Sequence, residues 1–129
     1  MTDKSKIERM PSSMGYPFST AVRVGDTWQL SGQIGLDPKT NKLAAGGVGP
    51  ETKQTLENIR QVLEQAGSSM QNIIKVGVFL KDIDDFEIMN EAYGKFFDAS
   101  DYPARSAVAV AGLALKARVE IECSAIVSK

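Results

Sequence analysis

A chain of 129 residues has the length of one domain with one hydrophobic core, and its shares of 43% hydrophobic and 24% charged residues are those of a folded globular protein. Fifteen basic residues face sixteen acidic ones, for a net charge of -1, and neither sign forms a block, so nothing recruits nucleic acid. There is no histidine and a single cysteine, which excludes the commonest general base, the commonest metal ligand and an internal disulfide together.

The opening residues Met1 to Lys6 are polar, no apolar signal stretch follows them, and no run approaches membrane-spanning length. A cytoplasmic chain without a membrane partner is expected, built as one domain over 1–129. Residues 1 to 15 carry Pro11, Ser12 and Ser13 without periodicity and read as a lead-in segment. Ala21 to Val24 and Thr27 to Ser31 are short β-favouring runs, and Gly25-Asp26 between them suits a type II′ hairpin. Trp28 and Leu30 then share one face, with Gln29 and Ser31 on the other.

From Asp37 to Gly49 the chain is loop-like, and Pro50 is suited to the first helical position because it has no N–H to leave unpaired. Leu56, Ile59, Leu63 and Ala66 recur at spacings of three and four, and Gly67 is a helix stop. Ile73 to Leu80 has the composition and length of a strand. Asp84 with Glu87 resembles a capping pair for a second helix, in which Phe86, Met89, Tyr93 and Phe96 or Phe97 form the buried stripe and Asn90 lies on its edge. Two strands close the chain, roughly Arg105 to Val110 and Ala117 to Val127.

This order predicts an α+β fold with both helices on one face of the sheet. Along the last strand Val119, Ile121, Cys123, Ala125 and Val127 point one way, under the helices, and Arg118, Glu120, Glu122 and Ser124 the other. The polar face is either solvated or closed by other subunits. Cys123, on the apolar side, reads as a small buried side chain rather than a nucleophile.

Two residues could carry chemistry. Arg105 follows Pro103-Ala104 at the mouth of a strand, where its planar fork could clamp a carboxylate through two hydrogen bonds or form a salt bridge with Glu122 or a neighbouring chain. Glu120 is either a solvated strand residue or, on a covered face, a carboxyl whose raised pKa lets it exchange protons near neutrality. Other signals are weaker. Gly46-Gly47-Val48-Gly49 lacks the lysine and hydroxyl of a phosphate-binding loop, Asp82, Asp84 and Asp85 read as helix-start acids rather than a calcium loop, and Lys53, Lys75 and Lys95 form no patch.

Residues 103 to 108 (Pro-Ala-Arg-Ser-Ala-Val), Val119-Glu120-Ile121, Ser31-Gly32-Gln33-Ile34-Gly35, Thr55 to Ile59 and Val78 to Phe86 with Asn90 together resemble the Rid (YjgF) family of reactive enamine/imine deaminases, over about Met14 to Val127. The resemblance implies a chorismate-mutase-like fold, a homotrimer enclosing a barrel-like interior, and sites at the subunit interfaces. It implies hydrolysis of 2-aminoacrylate-type enamines and imines to 2-keto acids and ammonia, with no metal or organic cofactor. Carried over, Arg105 binds the substrate carboxylate, Glu120 orients water and shuttles the proton, the backbone of Gly32 and Ala107 contacts the acid, and Ser31 and Asn90 line the cleft. Two departures stand out: Phe18 occupies a position where many members have tyrosine, with Tyr16 two residues out of register, and Leu113-Ala114 replaces a frequent Leu-Pro. The alternatives are a regulatory trimer that holds a keto acid without turning it over, a nucleic-acid-acting member and a chaperone-like member.

Overall fold

The computed structural model describes residues 6–128. Its main sheet contains β1 (Ile7–Pro11), β2 (Ser19–Val24), β3 (Thr27–Ile34), β6 (Ile73–Leu80), β7 (Ala104–Ala109) and β8 (Val119–Ile126), and a small ribbon pairs β4 (Leu36–Asp37) with β5 (Lys42–Leu43). The helices are α1 (Val48–Gln65) and α2 (Phe86–Gly94). Strand order in the sheet is β1-β2-β3-β8-β6-β7, antiparallel throughout except for β6 and β7. That pair is parallel because the chain returns through α2 before β7 begins.

The last strand shows why the fold is α+β. Val119, Ile121, Cys123 and Ala125 are buried, while Glu120, Glu122, Ser124 and Ile126 are half-buried or exposed. α1 lies across β3 and β8 with Leu56, Ile59 and Leu63 fully buried against them, each contributing roughly 1.5–3 kcal/mol through burial. α2 packs beside α1 and inserts Met89 and Tyr93. Trp28 and Leu30 face this core, and the indole N–H of Trp28 donates to the Ala66 carbonyl at 3.0 Å, tying β3 to the end of α1.

The turns follow local chemistry. Gly25 has φ 63° while Asp26 keeps a negative φ, the pattern of a type II′ hairpin. At the end of α1, Gly67 adopts φ 75°, and the N–H groups of Gly67 and Ser68 return to the carbonyls of Glu64 and Leu63 at 3.2 and 2.8 Å, a Schellman stop.

Several expectations need correction. The lead-in contains an edge strand, β1, which pairs only with β2 and whose register breaks between Met10 and Pro11; residues 1–5 lie outside the described residues. The loop from Asp37 holds the β4–β5 ribbon, and α1 starts at Val48, so Pro50 is its third residue, still within the first turn where N–H groups have no helical partner. Instead of Asp84 capping α2, Asp82 caps the short 3-10 turn Ile83–Asp85 that leads into it, its carboxylate accepting from the Asp84 N–H at 2.9 Å, and Asp85 at the start of α2 makes no side-chain cap bond. Arg118 precedes β8 and reaches Asp85 at 3.6 Å, and Arg105 lies within β7 as its second residue.

Candidate active site

The register across β6 decides where the two candidate residues point. Val76 pairs with Arg105 on one side and Cys123 on the other, so Arg105 shares the helix-covered face with those buried residues. Phe79 pairs with Val108 and with Glu120, which places Glu120 on the uncovered face. Within one chain Arg105 and Glu120 therefore lie on opposite sides of the sheet. An Arg105–Glu122 salt bridge within the chain is ruled out for the same reason.

Arg105 is half-buried beside α2. Its guanidinium carbon lies 4.7 Å from the centre of the Tyr93 ring and 5.6 Å from that of Phe86, and Nη1 lies 4.0 Å from the Met89 sulfur. Among the described residues it forms no ion pair with a carboxylate. A cleft of about 310 Å³ opens next to it, lined by Asn90, Tyr93, Gly94, Tyr102, Pro103 and Arg105. Burial pushes the Tyr93 phenol up to about 12, partly offset by the Arg105 charge, so the hydroxyl stays protonated. Ala107 follows two residues on along the same edge strand. Because the Val110 N–H bonds inward to the Leu80 carbonyl at 2.8 Å and backbone groups alternate along a strand, the Ala107 N–H faces the free edge.

Glu120 sits on the other face between two half-buried cross-strand neighbours, Ile34 and Phe79. This burial raises its pKa above the ordinary 4.5, and the Glu122 charge two residues along the same face raises it further. Gly32 leaves the space the carboxylate occupies, since a side chain there would collide with the Glu120 carboxyl group. Ser31 donates to the Ser19 carbonyl at 2.6 Å, which ties the chain beside Phe18 to this part of β3. Phe18 itself is 51% exposed and stacks on Tyr16 with ring centres 6.2 Å apart.

The expected site residues thus fall into two groups: Asn90 on α2 with Arg105 and Ala107 on the adjacent β7, and Glu120, Gly32 and Ser31 toward the open face, with Phe18 joined to this second group through Ser19. Sequence reasoning placed Tyr93 in the core and did not connect it with Arg105; the signal was the α2 stripe itself, once β7 is set beside it. Cys123 is buried, and its thiol is pushed up to about 12, first by burial and then by Glu122, which leaves no thiolate for chemistry. No cluster of metal-ligating side chains occurs among the described residues, and no helix there is long and apolar enough to cross a membrane.

Comparison with known proteins accounts for this arrangement of elements. The model of the family described as Endoribonuclease L-PSP matches residues 8–127. The human 2-iminobutanoate/2-iminopropanoate deaminase is 45% identical over 118 residues, covering 92% of this chain and 85% of that protein. A RutC family protein of Pyrococcus horikoshii is 44% identical, covering 92% of each. Among solved structures, RidA of an Antarctic Psychrobacter superposes with TM-score 0.83 at 38% identity, covering 95% of this chain and 98% of that one. The Escherichia coli YjgF product does so with TM-score 0.81 at 36% identity, covering 92% and 93%. The chain belongs to the Endoribonuclease L-PSP family, the family of the YjgF and Rid proteins.

Proposed function

We propose that this protein hydrolyses small 2-aminoacrylate-type enamines and their imines to 2-keto acids and ammonia; two of its relatives are named 2-iminobutanoate/2-iminopropanoate deaminase. The observation that carries the reading onto this chain is Arg105: a permanent cation at the edge of a small cleft, with its hydrogen-bond donors uncommitted to any carboxylate of the described residues. A bidentate pair with a substrate carboxylate fits that fork, Asn90 lines the same cleft, and the Ala107 N–H lies on the same edge.

The reaction then needs a proton at the enamine carbon and a water at the imine carbon. Glu120 supplies both functions: its raised pKa lets it give a proton to the terminal carbon, and as a carboxylate it takes one from the attacking water. In the carbinolamine the amino nitrogen takes the proton that Glu120 now holds, the hydroxyl returns its own proton to Glu120 as the C=O bond forms, and the C–N bond breaks to release ammonia. No metal or organic cofactor takes part in this scheme.

Because Arg105 and Glu120 face opposite sides of the sheet, the complete site is assembled from two copies of the chain. The homotrimer with a barrel-like interior, characteristic of chorismate-mutase-like folds, brings the open face of one subunit against the α2 and β7 edge of the next. Support for a covered open face comes from Val24, Ile74, Val108 and Ile126, which are 41–49% exposed in the single chain. Light scattering at micromolar concentration should give a trimer. Mixing Arg105→Ala with Glu120→Gln protein after subunit exchange should restore roughly a quarter of wild-type turnover, since random assembly completes about one site in four. The decisive assay couples the protein to a dehydratase that releases an enamine and follows keto-acid formation above the spontaneous rate. Absence of acceleration, with binding of the keto acid intact, would favour the regulatory reading.

A nuclease reading has less behind it, despite the family's description. The larger groove, between α1 and α2, carries charges of both signs, with Lys53, Arg60 and Lys95 set against Glu57 and Glu91. A phosphate track requires one sign.

A further inference from the structure

A buried or half-buried arginine usually finds a carboxylate, and one on α2 would hold the Arg105 arm well. It would also occupy the fork. Here the arm meets Phe86, Met89 and Tyr93, which stand at positions i, i+3 and i+7 of one helical face. An aromatic face attracts a cation through its quadrupole but offers no oxygen lone pair, and a thioether is only a weak acceptor. The guanidinium is therefore held from behind while its N–H groups stay available in front. Met89 is fully buried and Tyr93 nearly so, which fixes two of the three contacts.

We propose that Phe86, Met89 and Tyr93 are positioning residues that form an apolar, aromatic cradle for Arg105, aiming its fork at a small carboxylate and keeping it unpaired until the ligand arrives. The proposal rests on the reading of Arg105 as the carboxylate clamp and adds the means by which α2 supports it. The face of the Tyr93 ring acts in this cradle, and its hydroxyl does not: that hydroxyl is buried without a hydrogen-bond partner among the described residues. Removing the hydroxyl alone should therefore be harmless or mildly stabilising.

The test uses the full chain and pyruvate as the probe, with binding read by calorimetry, turnover by the coupled enamine assay and folding by thermal unfolding. Tyr93→Phe, which keeps the ring face, should rescue most of the pyruvate affinity that Tyr93→Leu loses. Tyr93→Leu and Phe86→Leu should each weaken pyruvate binding roughly tenfold, the scale expected for losing one well-placed ring face. Phe86 is only half-buried, so its variant should keep the fold and the trimer even if Tyr93→Leu does not. Rescue by phenylalanine but not leucine at position 93, together with a folded Phe86→Leu of reduced affinity, supports the cradle. Leucine variants that fold and bind pyruvate as wild type does overturn it, as does a Tyr93→Phe variant as weak as Tyr93→Leu. A wild-type protein that does not bind pyruvate at all overturns the clamp reading, and this proposal with it.

Discussion

Arg105 and Glu120 hold their charges under opposite conditions. Arg105 lies on the helix-covered side of the sheet against two ring faces and a thioether, whereas Glu120 lies on the uncovered side between Ile34 and Phe79. A guanidinium is weakly hydrated and keeps its charge in such surroundings. A carboxyl answers desolvation by moving its pKa upward, as Glu120 does. The difference separates the two proposed roles: a fixed cationic anchor, and a carboxyl whose ionisation its surroundings oppose and which exchanges a proton. The anchor should therefore fail in binding and the exchanger in turnover.

Replacing the anchor should have the largest effect. Arg105→Ala loses a partly buried charge pair with the substrate, about 2 to 5 kcal/mol, which is roughly a thirty- to several-thousand-fold fall in kcat/KM. Arg105→Lys should recover little, because an ammonium lacks the planar fork. Wild-type turnover by a folded Arg105→Ala variant would remove the clamp from the mechanism. Glu120→Gln should keep pyruvate affinity while kcat falls on the order of a hundredfold, the usual share of a general acid or base.

Glu120 also leaves a stability signature with a definite sign. Its folded-state pKa is raised, so the ionised form is disfavoured by folding; the protein is relieved of that cost below the ordinary carboxylate value of 4.5 and bears it as pH rises through the shifted value. Glu120→Gln should therefore match or exceed wild-type stability at pH 7, with the gap closing as pH falls. A wild type more stable than the glutamine variant only at high pH would mean that the carboxylate gains a cationic partner in the assembled protein.

Much of this was legible in the sequence because it is local. Ile73 to Leu80 is an uninterrupted strand run and appears with those bounds as β6, and the alternation from Val119 to Ala125 assigned the two faces of β8 correctly. β1 was not legible: it is paired along one edge, its half-buried residues Ile7 and Met10 are three apart, and a bulge interrupts it. The separation of Arg105 from Glu120 was hidden for a different reason. It depends on β6 lying between β7 and β8 and on Val76 meeting both Arg105 and Cys123, a long-range register that no window of sequence contains.

The Glu120 side can be disturbed without touching a titrating group. Gly32→Ala places a methyl group where the Glu120 carboxyl sits, but the atoms it meets are the end of a flexible side chain, so the fold should yield easily. Tm should shift little, while displacement of the carboxylate lowers turnover roughly tenfold and leaves pyruvate binding nearly intact. An equal loss in binding would mean that Gly32 serves the anchor rather than the exchanger.

The smallest effect is expected at Phe18, where the family resemblance leads one to expect a tyrosine. The ring is 51% exposed and stacked on Tyr16, so a hydroxyl added to it needs no buried partner, and stability should stay within about 0.5 kcal/mol. Its neighbour Ser19 is joined through its carbonyl to Ser31, next to Gly32, which associates position 18 with the Glu120 side of the site rather than with the clamp. Phe18→Tyr should accordingly leave KM unchanged and leave kcat equal or somewhat higher, because it adds a donor on the side proposed for Glu120 and removes nothing that binds the carboxylate. A rise in kcat alone would show that the hydroxyl assists the proton step proposed for Glu120. A fall of more than about tenfold, read with both a short and a longer enamine side chain, would show instead that the bare phenyl ring shapes an apolar pocket, the loss being largest for the longer substrate.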